Sequence, residues 1–128
     1  MIVPLGRQLM AAEVPILERH GLTMWAYVVL SALVEGEAPT QASLAQMIGA
    51  DKTRIIGVLD DLQERALIER RPDPADRRAY VLSLTAAGRR LHRLAQSDIQ
   101  RGEEQWLGRL NAADRTTFLR VLRELSSR

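Results

Sequence analysis

Cysteine is absent from the chain. That removes disulfides, thiolate chemistry and Cys-ligated zinc together. Histidine occurs only at His20 and His92, with no carboxylate cluster beside either, so neither a metal site nor a cofactor is expected. No run of about 18 uncharged apolar residues occurs, which argues against a membrane span. The opening MIVPLGRQLMAAEVP lacks the charged n-region, apolar h-region and small-residue cleavage site of a secretory signal, so a cytoplasmic setting is expected. Also missing are a Ser/His/Asp set, a Gly-rich phosphate loop and a pair of carboxylates arranged for acid–base work. No enzyme is expected. Lysine is nearly absent too: of 18 basic residues, all but Lys52 are arginine.

What is present is one domain's worth of chain, 128 residues with 46% hydrophobic content, enough for a real core. Net charge is only +2, so the placement of the arginines matters more than their number. An arginine offers a planar fork of donors suited to phosphates and base edges. Apolar residues at three- and four-residue steps predict a helix from Ile2 to about Arg19, which Pro15 should kink or restart. LTMWAYVVLSALVEG predicts a second, deeply buried helix, capped by Thr23 and closed by Glu35-Gly36-Glu37 with Gly36 left-handed.

TQASLAQMIGA then predicts a short helix capped by Thr40 and ended by Gly49. Asp51 caps KTRIIGVLDDLQERA, whose inward face is Ile55, Val58, Leu59, Leu62 and Ala66. Two short helices joined by a tight glycine turn form a helix-turn-helix. On a wheel centred on Ile55, Thr53, Gly57, Asp60, Asp61 and Glu64 point outward, with Lys52 and Arg54 flanking the first turn. The acidic second half could not lie along phosphate. A helix inserting only its N-terminal turn into a major groove avoids that conflict and aims its positive dipole end at the polyanion. Read blandly, Lys52 and Arg54 are solvated first-turn residues.

After the helix-turn-helix, LIERR predicts a strand, PDPAD a turn and RAYVLSL a second strand with Tyr80, Leu82 and Leu84 on one side. Thr85 caps a long helix and Asn111 a last one. The order helix-turn-helix, then LIERRPDPADRRAYVLSLTAAG, resembles the MarR family of bacterial transcription regulators. Leu67, Ile68, Arg70, Asp76, Arg78, Leu84, Thr85 and Gly88 fall at the spacing of the family's wing pattern, and the likeness spans nearly the whole chain. It implies a mainly α fold with a small β-hairpin wing. Residues 22–85 would form a winged helix-turn-helix lobe, and residues 1–20 and 86–128 the dimerisation helices of a single 1–128 domain.

The resemblance further implies a homodimer on palindromic double-stranded DNA, repressing a nearby promoter until a small molecule releases it. The DNA-facing set is then Thr40, Gln41, Ser43, Lys52, Thr53, Arg54, Gly57, Arg77 and Arg78. By position Arg78 would enter the minor groove, Asp76 would hold and orient that arginine, and Arg77 would approach phosphate. Arg70 and Arg71 can equally face the body. An aromatic or anionic effector would meet His20, Trp25, Tyr27 and His92. Against that, Trp25 and Tyr27 can be core and the histidines structural. The absence of cysteine excludes the family's thiol-based oxidant sensing. Ala66 stands where the family prefers glycine, Gly57 where many relatives carry a long polar side chain, and Ile56 at a frequent Ser or Thr position. A different function, a winged-helix module for protein–protein contact without specific DNA binding, would not call for Arg77-Arg78 at the tip.

Overall fold

Five helices begin where a side-chain oxygen can take up an N–H that the helix itself leaves free. In the computed structural model, which describes residues 1–36 and 40–127, they follow a first helix, α1 (Ile2–Arg19). Thr23 accepts from Ala26 N (3.1 Å) to start α2 (Met24–Val34), and Thr40 from Ser43 N (2.9 Å) to start α3 (Gln41–Ile48). Asp51 accepts from Arg54 N (2.9 Å) to start α4 (Lys52–Glu64). Thr85 accepts from Gly88 N (3.0 Å) ahead of α5 (Ala86–Leu107), and Asn111 from Asp114 N (2.8 Å) ahead of α6 (Ala112–Ser126). Between α4 and α5, β1 (Ile68–Pro72) pairs antiparallel with β2 (Tyr80–Leu84), Arg70 opposite Leu82.

The nearly all-apolar α2 runs through the centre, where Ala26, Val29, Leu30 and Leu33 are buried. It touches α1, α3, α4, α5 and β2. Leu17 of α1, Leu44 of α3, Ile55, Leu59 and Leu62 of α4, Ile68 and Leu82 of the hairpin, and Ala95 and Ile99 of α5 close the core around it. By contrast, α6 buries none of its residues within the chain, although Phe118, Leu119, Leu122 and Leu125 lie at helical spacing along it. Among the described residues no helix is long and apolar enough to cross a membrane.

Four local expectations need correction. Pro15 does not restart the helix: α1 is one helix from Ile2 to Arg19. Burial of Leu17 and packing of Ile16 just beyond it hold the helix across the one bond that proline forfeits. Gly36 has φ +155°, outside the left-handed helical basin, and α2 ends on Glu35 instead; Glu37 lies outside the described residues. Tyr80 is exposed at the outer end of β2, where the hairpin has run past the core that takes up Leu82.

Ala66 is not on the inward face of α4 either. It follows the helix at φ +57° and is exposed, so the alanine occupies the left-handed turn in which glycine is at ease. Tertiary bonds hold it there: the Thr85 hydroxyl donates to Ala66 O (2.7 Å), and Leu67 N reaches back to Leu62 O (2.9 Å). Ala66→Gly is therefore expected to raise unfolding stability by about 1 kcal/mol, the relieved strain outweighing the added freedom of the unfolded chain. Urea melts of the two proteins would measure it, and an unchanged midpoint would mean the turn is unstrained.

Candidate nucleic-acid interface

The turn between α3 and α4 is made by Gly49 (φ +71°, ψ +28°), with Ala50 N bonded back to Ala45 O (2.9 Å). Asp51 follows at once as the cap, so α4 points its N-terminus out of the lobe while Ile55, Leu59 and Leu62 anchor it. Lys52, Thr53 and Arg54 of its first turn are exposed, as the wheel places them. Gly57 is exposed as well, and a Cβ there would meet nothing within 4 Å, so the surface around it is open to a close approach. Thr40, Gln41 and Ser43 are half-buried, and the Thr40 hydroxyl is committed to capping α3.

The acidic half of α4 is largely neutralised by the chain itself. Asp60 accepts from Arg70 Nη2 on β1 at 2.9 Å, and Asp61 sits 3.6 Å from Arg65. Arg65 also donates to Gly21 O (3.0 Å), tying the end of α4 to the corner between α1 and α2. Arg71 lies 3.8 Å from Glu69. These arginines are thereby tied to carboxylates, whereas Lys52, Arg54, Arg77 and Arg78 form no ion pair among the described residues. Within residues 22–85, among the described residues, positive charge is left available at two places, the first turn of α4 and the hairpin tip.

Pro72 still belongs to β1, paired with Tyr80, so the tip is the stretch Asp73–Ala79 rather than PDPAD, Pro72–Asp76. Asp73 N bonds to Ala79 O (3.0 Å), closing that loop. Within it two aspartates fold the main chain. Asp73 Oδ1 accepts from Ala75 N (2.9 Å), and Asp76 Oδ1 from Arg78 N (3.0 Å). Asp76 thus shapes the backbone on which Arg78 stands and makes no ion pair with its guanidinium, contrary to the bracing expected. Arg77 and Arg78 are exposed. At the hairpin's other end, Thr85 N bonds to Leu67 O (3.1 Å), and Gly88 is buried against the carbonyl of Leu67. The Leu-Thr-x-x-Gly stretch is therefore a weld between the hairpin and α5.

The four candidate effector residues have different partners. Tyr27 and His92 stack in near-parallel planes, 5.3 Å apart at 11°, and Ser31 Oγ is 2.9 Å from His92 Nε2. Burial holds the His92 pKa below the usual imidazole value and pushes that of Tyr27 up. His20 instead faces Asp98 (2.6 Å), whose carboxyl is held down chiefly by that hydrogen bond and also by Arg101 and Arg19. Trp25 lies beside Arg54. A groove of about 280 Å³ between α1 and α5 is lined by Leu9, Glu13, Ile16, Ile99, Glu103 and Trp106, among others, and by none of the four. Glu13 there has a raised pKa, from burial first and from Glu103 second.

The lowered pKa of His92 has a sign that can be checked. The unfolded chain takes up this proton at higher pH than the folded one, so stability falls as pH drops through the ordinary imidazole value. Thermal melts at pH 7.5 and 5.5 are expected to differ less for His92→Gln than for the unmodified protein. Equal differences would mean that His92 titrates alike in both states.

A glycine-turned helix pair presenting an exposed cationic first turn, beside a hairpin with an arginine tip, defines a winged helix-turn-helix. Residues 20–79 match a family model described as "MarR family". The chain is 33% identical over 104 residues to the HTH-type transcriptional repressor NicR of Pseudomonas putida, covering 81% of this chain and 66% of that protein. It is 30% identical to the solved PcaV transcriptional regulator of Streptomyces coelicolor in complex with its natural ligand, with TM-score 0.73, over 95% of this chain and 89% of that one. The MarR family protein Rv2887 of Mycobacterium tuberculosis, solved as a complex with DNA, is 25% identical with TM-score 0.84, over 98% of this chain and 94% of that one. The chain belongs to the MarR family. It spans just under two thirds of the length of the first curated relatives it matches.

Sequence reasoning missed Arg70, Arg65 and Trp25 as parts of this surface. Arg70 had one available signal, its place opposite Leu82 on the side of the hairpin that faces the core. Arg65 had the i,i+4 spacing to Asp61 as a local signal, but its bond to Gly21 O and the Trp25–Arg54 contact join different elements and left no local trace.

Proposed function

We propose that this protein is a sequence-specific DNA-binding transcription regulator that acts as a homodimer in the cytoplasm. The observation that carries the reading is the distribution of free cations: within the winged lobe, Lys52 and Arg54 at one end and Arg77 and Arg78 at the other are the exposed ones that form no ion pair among the described residues. They sit where a helix N-terminus meets a major groove and where a hairpin tip meets the adjacent minor groove. The named repressor NicR and the DNA complex of Rv2887 support the same assignment. Dimerisation is supported by α6, which exposes Val121, Leu122 and Leu125, and by the exposed Ile2, Val3, Met10 and Val14 of α1. A small aromatic or anionic effector would act at the α2–α5 junction around Tyr27, Ser31 and His92, with His20 nearby in sequence. Bound ligands in PcaV and in Rv2887, the latter with p-aminosalicylic acid, support that class. In this reading the dimer represses a nearby promoter until the effector releases it.

Gel shifts on DNA flanking the gene, run as a salt series, test the proposal. Affinity for one palindromic fragment is expected to exceed that for random DNA by about 1,000-fold or more. Its logarithm should fall linearly with that of the salt concentration. If no fragment is bound better than random DNA, the reading fails.

A further inference from the structure

Arg54 is restrained differently from the other arginines near it. Arg65, Arg70 and Arg71 each lie within reach of a carboxylate, which engages donors and cancels charge. The guanidinium carbon of Arg54 instead stands 6.0 Å from the centroid of the Trp25 ring. An aromatic face attracts the cation through its quadrupole while leaving the five N–H donors at the edge of the guanidinium unused. Such a partner orients an arginine without satisfying it.

Both side chains spring from anchored backbone. Trp25 is the second residue of α2, next to the buried Ala26, whose N–H is held by the Thr23 cap. Arg54 directly precedes the buried Ile55 and donates its own N–H to the Asp51 cap. Trp25 itself is half-buried. An exposed arginine with no partner would sample many rotamers, and each must be given up on binding. Here much of that ordering precedes the DNA.

We propose that Trp25 is a positioning residue for DNA recognition, setting the orientation in which Arg54 meets a base edge or phosphate. This rests on the DNA-binding reading above and adds to it the residue that prepares its main recognition-helix cation. Trp25 was a candidate effector contact; the indole faces the recognition helix instead.

The test uses the full chain carrying Trp106→Phe, in which Trp25 is the only tryptophan. Trp25→Leu is expected to weaken operator binding by roughly 2- to 30-fold, the range of cation–π effects from exposed to desolvated sites. Trp25→Phe should lose less. It should change binding to random DNA far less than binding to the operator. In an Arg54→Ala background Trp25→Leu should add no further loss. Replacing Trp25 by mono- to trifluorotryptophan, which keeps ring shape but withdraws electron density from its face, should weaken operator binding step by step. Without DNA, Arg54→Ala should shift the emission of Trp25. Equal affinity across the fluorinated series, additive losses in the double variant, or unchanged emission would each overturn the proposal while leaving DNA binding intact. Absence of operator binding by the unmodified chain would overturn both readings.

Discussion

Gly88→Ala is expected to lower unfolding stability by about 3 kcal/mol, at the upper end of the cost of overpacking a closed site. Gly88 lies in the first turn of α5, buried against the Leu67 carbonyl, with the Leu84 side chain on another side. A methyl group would fall far inside contact distance of that carbonyl oxygen. The obstacle is backbone, so no rotamer change removes it. Either α5 moves away from the Leu67 carbonyl or the Leu67 peptide moves, and the latter is bonded to Thr85 N at 3.1 Å. Lifting α5 would also disturb Thr85, whose hydroxyl accepts from Gly88 N and donates to Ala66 O. Urea melts would show the loss as a lower midpoint. A midpoint within error of the unmodified protein would mean that this junction yields cheaply, and the weld between hairpin and α5 would lose its physical basis.

Arg78→Ala is expected to leave folding untouched and to weaken operator binding by ~1–3 kcal/mol, the usual cost of removing one specific contact. The side chain is exposed, makes no ion pair among the described residues and is absent from the core. Its value lies in reach: it stands on a tip loop fixed by Asp73 and Asp76, at the far end of a hairpin welded to the body. A narrow minor groove concentrates negative potential at the depth such a side chain attains. Fluorescence anisotropy on the operator, with melting temperature and oligomeric state as controls, would measure the change. Unchanged affinity would remove the wing from the mechanism and leave recognition to α4 alone.

Most of the element order is legible in the sequence because each start carries its own chemistry. Thr23, Thr40, Asp51, Thr85 and Asn111 all cap as read, and Gly49 adopts the left-handed turn. The errors occur where a distant contact overrides a local preference. Ala66 is an unwelcome residue at positive φ, kept there by Thr85 nineteen residues on. Pro15 is a helix breaker tolerated because the core lies just beyond it. At the candidate interface, the exposed cations follow from the wheel and the hairpin, but their partners do not. The Asp60–Arg70 pair joins a helix to a strand, and the Trp25–Arg54 contact joins two helices separated in sequence by a third. Both depend on how elements pack, which periodicity does not encode. Asp76 shows the opposite limit: its importance was visible, but the group it holds is an N–H two residues away rather than a guanidinium.

The hairpin tip holds as many carboxylates as guanidinium groups, Asp73 and Asp76 against Arg77 and Arg78. From beyond the Debye length of ~8 Å at physiological salt, these charges cancel, so the wing should exert little pull on approaching DNA. Only on contact do they separate, because the aspartates are turned back onto the main chain while the arginines extend. The wing should therefore affect how long a complex lasts rather than how fast it forms. Arrival would depend on the net-positive first turn of α4, where Lys52 and Arg54 outnumber Asp51, and residence on the hairpin.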